Sequence, residues 1–347
     1  MKQKSGWPWE GEDQAFHQRS GVKYPQAIKS DQLPRITVIT PNFNQGEFLE
    51  ETIRSVLMQD YPNLEYIVVD GGSTDASGEV LDHYARCITH VIQEKDTGQS
   101  NAICKGLRFA TGDIFNWIHS DCRLEPGTLC ELAANFRDSA DLYAFEVCVE
   151  DTQGNPPIDS DHRIVNRNLS AAAMLRCDPY SFCQPGLWFR MESLYACGGI
   201  DRSLNEGFDW DLVIRYLSQF PRVQYSRSTG AMFRLHDQCK TIEETPISDS
   251  TENRVEQEND RIRAKLERKL SPRLAAASRL GRRREPWNQH VAAVLDDFNC
   301  SPVTSALGLM REAVNDPRAR FSLRTGAAIV RLLSRYARNT PKPNVSS

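Results

Sequence analysis

No stretch of this 347-residue chain approaches the roughly 18–20 consecutive apolar residues that a membrane-crossing helix needs. Its polar start, MKQKSGWPWEGEDQ, lacks the apolar core of a secretory leader, so export and membrane spanning are not expected. Charge of one sign is missing too. The 42 basic and 46 acidic residues leave a net charge of −4, which argues against a surface built to bind nucleic acid. There is no internal repeat, no CxxC pair and no GxGxxG, which removes solenoids, cysteine zinc sites and the dinucleotide fingerprint. The ten cysteines are scattered, several inside apolar stretches such as YAFEVCV. Free thiols in a reducing compartment account for them, and a cytoplasmic location follows.

What is present is a regular alternation. After a lead-in over 1–34, with Trp7 and Trp9 as docking points, Ile36–Thr40 reads as a β-branched strand closed by PNFNQGE. Phe48–Gln59 carries Leu49, Ile53, Val56 and Leu57 at helical spacing. Glu65–Asp70, Ile88–Gln93 and Asp113–His119 read as further strands, with helices expected over Ser77–Arg86 and Ser100–Ala110. Such an order predicts βαβ units, a parallel sheet and ligand binding beyond the strands' C-terminal ends. The polar clusters lie there: Pro41-Asn42-Phe43-Asn44, Asp70-Gly71-Gly72-Ser73, Glu94-Lys95-Asp96 and His119-Ser120-Asp121.

The second half is less regular. DTQGNPP is a turn-rich break, Pro185–Arg190 and Arg222–Leu235 read as strands, and Asp209–Phe220 reads as a helix. From about Ser250 the chain becomes charged and helical, giving divisions at 1–34, 35–245 and 246–347. Between Arg261 and Arg284 stand ten basic residues and one acid, with Ile262, Leu266, Leu270, Leu274 and Leu280 forming a partial stripe. That stripe suits packing, and it also suits peripheral contact of 261–284 with an anionic membrane.

A carboxylate at a strand end, as at Asp70, can accept hydrogen bonds from a base or ribose. Ser73 and Asp75 are better read as capping the next helix. Asp209 and Asp211 begin a helix two residues apart, about 200° around its axis, so only one can face a given ligand. Asp211 then suits a pairing with Arg215 at i+4.

These segments together resemble the family 2 glycosyltransferases. ITVITPNFNQGEFLEETIRSVLMQDYPNLEYIVVDGGSTD is similar to the family's opening, and EKDTGQSNAICKGLRFATGDIFNWIHSD to its second block. QPGLWFRMESLYACGGIDRSLNEGFDWDLVIRY is similar to the acceptor-side segment and RLHDQCKT to the element after it. The resemblance spans about residues 35–242. It implies a GT-A fold, a mixed and mainly parallel sheet with helices on both faces, plus a C-terminal helical extension. It implies inverting transfer of a sugar from a nucleoside diphosphate, foremost a UDP-sugar, to a glycan or lipid-linked acceptor in surface polysaccharide or glycolipid assembly. Carried over by position, Pro41, Phe43 (a Tyr in the family) and Asn44 line the nucleotide pocket, supported by Glu47. Asp70 and Asp96 meet base and ribose, Ser120 and Asp121 belong to the metal-and-ribose motif, and Asp209 is the base.

The chain departs from that pattern at Cys122, where the family has a second Asp, and at Asn101 and Cys104. Thiol is a poor ligand for Mg²⁺ or Mn²⁺, so the resemblance leaves three arrangements open. Asp121 with His236 holds the cation; Arg234, His236 and Lys240 neutralise the diphosphate without one; or the protein binds nucleotide sugar without turning it over, as a scaffold. A nucleotidyltransferase would need a Gly-rich, basic loop after the first strand, which PNFNQGE does not supply.

Overall fold

The computed structural model describes residues 33–152, 154, 163–164, 166–176, 182–236, 249–268, 270–296, 302–316 and 328–329. Trp7, Trp9 and Lys240 lie outside the described residues. The chain divides into two compact units, one of residues up to 171 and 182–266, the other of 172–181 and 267–347.

The first unit is built on strands β1 (Ile36–Asn42), β2 (Leu64–Asp70), β3 (His90–Gln93) and β4 (Ile114–Trp117). Between them run helices α1 (Gly46–Leu57), α2 (Ser77–Tyr84) and α3 (Gln99–Leu107). β1 pairs in parallel with both β2 and β4, and β2 in parallel with β3. The expected stripe on α1 is the buried one, with Leu49, Ile53 and Val56 at 0% exposure. β1 and β2 are buried along nearly their whole length, covered on both faces, which is why they read as near-continuous apolar runs, whereas the edge strand β3 is only half-buried.

Beyond β4 the sheet changes character. β5 (Arg123–Leu124), helix α4 (Thr128–Asn135), β6 (Leu142–Glu150) and β7 (Arg163–Ile164) precede β8 (Leu187–Arg190). Helices α5 (Met191–Ala196) and α6 (Phe208–Gln219) then lead to β9 (Val223–Arg234). The nine strands order as β3-β2-β1-β4-β8-β6-β9-β5, with β7 beside β6. β8 is antiparallel to both β4 and β6. β6, unrecognised as a strand in the sequence reading, is the central member of this half. It runs parallel to β9 with two register irregularities at Ala144–Val147. The stretch Pro185–Arg190, expected to be strand throughout, opens with a 3₁₀ turn over Gln184–Gly186.

Helix α7 (Asp249–Glu267) closes the first unit, so the compact division falls at 266 whereas the composition changes near 245. Ile262 and Leu266 of the basic stretch are buried, at 0% and 2% exposure, so that end of its apolar stripe is spent on packing. In the second unit α8 (Pro272–Asp296) and α9 (Pro302–Asn315) share a small core of Trp287, Val291 and Leu309. Among the described residues no helix is long and apolar enough to cross a membrane.

Candidate active site

β1 outruns its neighbour. Its pairing with β4 stops at Ile39–Trp117, while its pairing with β2 continues to Asn42–Asp70. Pro41, buried in β1, has no N–H to offer and so tolerates the lost ladder. The strand order reverses direction at β1, and beyond the C-terminal ends at such a point is where sheets of this kind form their ligand crevice.

One wall of the crevice is the β1–β2 side. Asp70 is buried, and its Oδ1 accepts from Asn42 Nδ2 (2.7 Å) and Ser73 Oγ (2.5 Å). Its Oδ2 accepts from the backbone of Gly72 (3.2 Å) and Ser73 (3.0 Å). Both oxygens therefore shape the Gly71–Ser73 turn, an engagement the sequence reading did not foresee. Asn42, read as part of the strand-end polar cluster but given no role there, keeps a buried Oδ1 with no hydrogen-bond partner beside that carboxylate. Asn44 stands in the left-handed region at φ 51°. Its N–H donates to Ser73 Oγ (2.8 Å) and its Oδ1 accepts from Thr74 N–H (2.9 Å), tying the two loops together. Asp75 accepts from Gly46 (2.7 Å) and from Ser77 at the start of α2 (3.0 Å), so it serves helix ends as expected. Ser73 instead bridges Asn44 and Asp70. Phe43 presents a 60% exposed ring at the crevice, and Glu47 is exposed in the first turn of α1. Asp96, partly exposed, accepts from Gly98 N–H (2.9 Å). A Cβ on Gly71 would stand 2.6 Å from Asp96 Oδ2 and 3.2 Å from Phe43, so the backbone here threads between two predicted nucleotide contacts.

The floor follows β4. Thr52 Oγ1 lies 2.8 and 2.6 Å from the carbonyls of Ser120 and Cys122, pinning their turn to α1. Gln45, not singled out in the sequence, hydrogen-bonds Ser120 Oγ through Oε1 and donates from Nε2 to Asp121 Oδ2 (3.3 Å). His236 Nε2 stands 3.1 Å from that same oxygen, its ring tilted against Phe48 at 4.6 Å. Burial alone would push the Asp121 carboxyl up. The His236 hydrogen bond, the neighbouring His119 imidazole and the Cys122 thiol together hold it below the ordinary aspartate value. Cys122 is buried and donates to Asp121 Oδ1 (3.4 Å). Burial, then the Asp121 charge, pushes its thiol far up, so it stays protonated. Arg234 is buried in a carboxylate network: it bonds Glu51, lies 3.6 Å from Glu150 and stands 5.2 Å over the Phe48 ring. Arg123 bridges Glu150 (2.9 Å) and Glu125 (2.9 Å) in the same network.

The third wall is the N-terminus of α6. Phe208 packs 5.7 Å from Trp117 at the end of β4, and Ser100 at the start of α3 donates to the carbonyl of Leu204 (2.5 Å). The Asp209 turn thus sits against both the β4 end and the Asp96–Gly98 loop. Asp209 Oδ1 accepts from Trp210 N–H (2.7 Å). Burial lifts its carboxyl to about 6, against the pull of that backbone bond and with Glu206 adding to the rise. Cys183, its thiol pushed up to about 12 by burial, lies within electrostatic reach of both Asp209 and Cys122. Asp211 points the other way. It is fully buried and paired with Arg215 (2.6 Å), the i+4 pairing the helix spacing suggested.

Cation chemistry can be judged from the donors. Among the described residues no cluster of three or more His, Cys, Asp or Glu is arranged to hold a metal. Asp121 and His236 do stand together, one hard oxygen 3.1 Å from one imidazole nitrogen. That pair fits a divalent ion completed by diphosphate oxygens, and the nitrogen suits Mn²⁺ better than Mg²⁺.

Residues 37–199 match the Glycosyl transferase family 2 profile. The putative teichuronic acid biosynthesis glycosyltransferase TuaG of Bacillus subtilis is 36% identical over 91 residues, 25% of this chain and 36% of that protein. An uncharacterized glycosyltransferase of Rickettsia typhi is 32% identical over 213 residues, 59% of this chain and 65% of its own. The chain spans only 13% to 36% of the length of TuaG and of GlyA and GlyG of Streptococcus pneumoniae. Among solved structures, the mannosyltransferase PcManGT of Pyrobaculum calidifontis, in complex with GDP-Man and Mn²⁺, superposes with a TM-score of 0.53 at 19% identity, covering 95% of this chain and 96% of that one. S. aureus TarS 1-349 with UDP-GlcNAc gives 0.53 at 15% identity, covering 90% and 95%. At such identities the likeness concerns the fold, a curled and mainly parallel sheet flanked by helices. Residues 37–199 are thus similar in sequence to glycosyltransferase family 2, and the fold they build is of the GT-A kind.

Proposed function

We propose that this protein is an inverting glycosyltransferase that moves a sugar from a nucleoside diphosphate to an acceptor hydroxyl in surface polysaccharide or glycolipid assembly. The observation that carries the reading is the packing of the Asp209 turn against the end of β4, through Phe208 and Trp117 at 5.7 Å, with the buried Asp209 carboxyl lifted to about 6. A general base works best when its pKa lies near the working pH, and this one is ionised at neutral pH yet still basic enough to draw a proton.

The donor lies along the ends of β1, β2 and β4. Phe43 stacks on the base, Asn42, Asn44 and Asp96 supply polar contacts to base and ribose, and the Asp70 carboxylate holds the turn that brings the backbone close. Glu47 and Pro41 frame the entrance, and Ser120 fixes the Asp121 loop. Asp121 and His236 would hold a divalent cation, which neutralises the charge that builds on the departing diphosphate. Arg234 is already matched by Glu51 and Glu150, which favours this arrangement over a metal-free clamp. Asp209 takes the proton from the acceptor hydroxyl. The freed oxygen bonds to the anomeric carbon as that carbon's bond to the diphosphate oxygen breaks, inverting the centre. The TarS and PcManGT structures hold UDP-GlcNAc and GDP-Man, and TuaG is a putative enzyme of teichuronic acid biosynthesis. A UDP-sugar donor and a glycan or lipid-linked acceptor are the corresponding reading here. Seven free cysteines among the described residues agree with a reducing, cytoplasmic setting, at or near the membrane if the acceptor is lipid-linked.

The test is product formation from a panel of UDP-, GDP- and dTDP-sugars with and without Mn²⁺, alongside donor binding by thermal shift. Transfer that vanishes in Asp209→Asn while donor binding persists supports the assignment. Donor binding with no turnover under any condition would favour the scaffold reading that Cys122 motivates.

A further inference from the structure

Helix α7 carries side chains that all reach the same short segment. Glu258 Oε1 accepts three backbone N–H bonds at once, from Asn205 (2.9 Å), Glu206 (2.9 Å) and Gly207 (3.0 Å). Lys265 Nζ bridges Asp201 Oδ2 (2.6 Å) and Asp211 Oδ1 (3.2 Å). The Arg263 guanidinium lies 4.9 Å over the Trp210 ring. A Cβ at Gly207 would meet Ile262 Cδ1 at 2.6 Å, so helix and turn are in direct contact. Asp209 sits inside the segment these groups clasp, residues 201–211, yet none of the clasping contacts is to Asp209 itself.

We infer that α7 is a brace for the base, with Glu258 as the positioning residue that sets where the Asp209 carboxylate stands relative to the acceptor. This rests on the reading of Asp209 as the base and names what holds it. The physical reason is directional. The N–H groups of 205–207 precede the first turn of α6, where helical partners are lacking, and one carboxylate oxygen gathers all three. On the other side of the turn the Ser100 bond to Leu204 ties the same segment to α3, next to the donor loop. The turn is therefore stretched between a donor-side anchor and an α7 anchor. Releasing the latter lets Asp209 drift while the donor loops stay in place. Asn205 and Glu206 are exposed, so two of the three N–H groups freed from Glu258 are taken up by water, and only that of the buried Gly207 is left to find another partner.

The experiment compares Glu258→Ala, Glu258→Gln and Asp209→Asn with the parent in the full chain. Glu258→Ala is expected to lower kcat for transfer about 100-fold, the effect of roughly a 1 Å misplacement of a catalytic group. Donor Kd should stay within about twofold, since no donor-side group moves. Glu258→Gln keeps an acceptor oxygen and should recover most of kcat. Amide hydrogen exchange in the peptide covering 205–207 should quicken in Glu258→Ala and not in Asp209→Asn, a readout independent of turnover. Parental kcat or unchanged exchange in Glu258→Ala overturns the inference, as does equal loss in the Ala and Gln variants. Activity surviving in Asp209→Asn would instead overturn the assignment of the base.

Discussion

Asp209 is where single-residue chemistry is most exposed to measurement. Its carboxyl at about 6 predicts that kcat for transfer falls as pH drops below that value and levels off above it. A pH–rate profile reads this directly. Asp209→Asn should cost about 10³-fold in kcat, the middle of what general-base catalysis contributes, and spare donor affinity. The same residue costs stability. Its folded value stands above the unfolded 3.8, so the native state binds a proton more tightly than the unfolded chain. Stability is lost as pH rises from 3.8 through about 6. Asp209→Asn should therefore be more stable than the parent by on the order of 2 kcal/mol at pH 7.5, with the gap closing toward pH 4. Thermal melts of both proteins across that range check the sign. Phe43→Ala should weaken donor binding about tenfold, the value of one base–aromatic stack.

Most of these residues were legible from the chain alone because they sit in ordered blocks at strand ends. Asp70 shows the limit of that. Its type and place suggested a ligand contact, but whether a carboxylate meets a ligand or its own turn depends on which N–H groups the next three residues direct at it. Gln45 gave no signal, since its bonds to Ser120 and Asp121 span more than seventy residues of sequence.

At the scale of elements, the strands and helices from β1 to β4 follow from their periodicity to within three residues at either end, whereas β5 and α4 were not read at all. Nor was β6, because LYAFEVCVE does not alternate, even though the turn-rich DTQGNPP bounds its end, and its irregular register with β9 goes with that blurred pattern. The close approach of the β2 and β3 ends offers a test. Gly71→Ala sets a methyl group 2.6 Å from Asp96 Oδ2 and 3.2 Å from Phe43, so both must retreat. Both are side-chain ends at least partly open to solvent that can swing aside, so the cost should stay at or below about 1 kcal/mol, the low end of overpacking, while donor affinity falls, measured by thermal shift and isothermal titration. α7 was legible as a charged helix but not as part of the first unit. Burial of Ile262 and Arg263, at 0% and 1% exposure, is decided by the partner surface rather than by the helix's own polar composition.

For the whole molecule the acids divide by sign. At Glu65, Asp75, Asp121 and Asp201 burial pushes up but hydrogen bonds prevail, and at Asp141 the Arg222 bond leads; all five sit below their ordinary values, Asp201 at about 2 beside Lys265. What they contribute is present above pH 4–5 and drains away as pH falls through their folded values. Set against Asp209, this predicts greatest thermal stability between pH 3.8 and about 6, below the range where transfer is fastest. A melting-temperature profile without such a mildly acidic maximum would contradict it. The sheet's strand order has a further consequence, during synthesis. β4 is made early, but the strand that covers its free side, β8, lies beyond residue 186. At about 5–20 residues per second, a growing chain carries β4 with an uncapped flank for several seconds, long enough for a neighbouring nascent chain or a chaperone to reach it first.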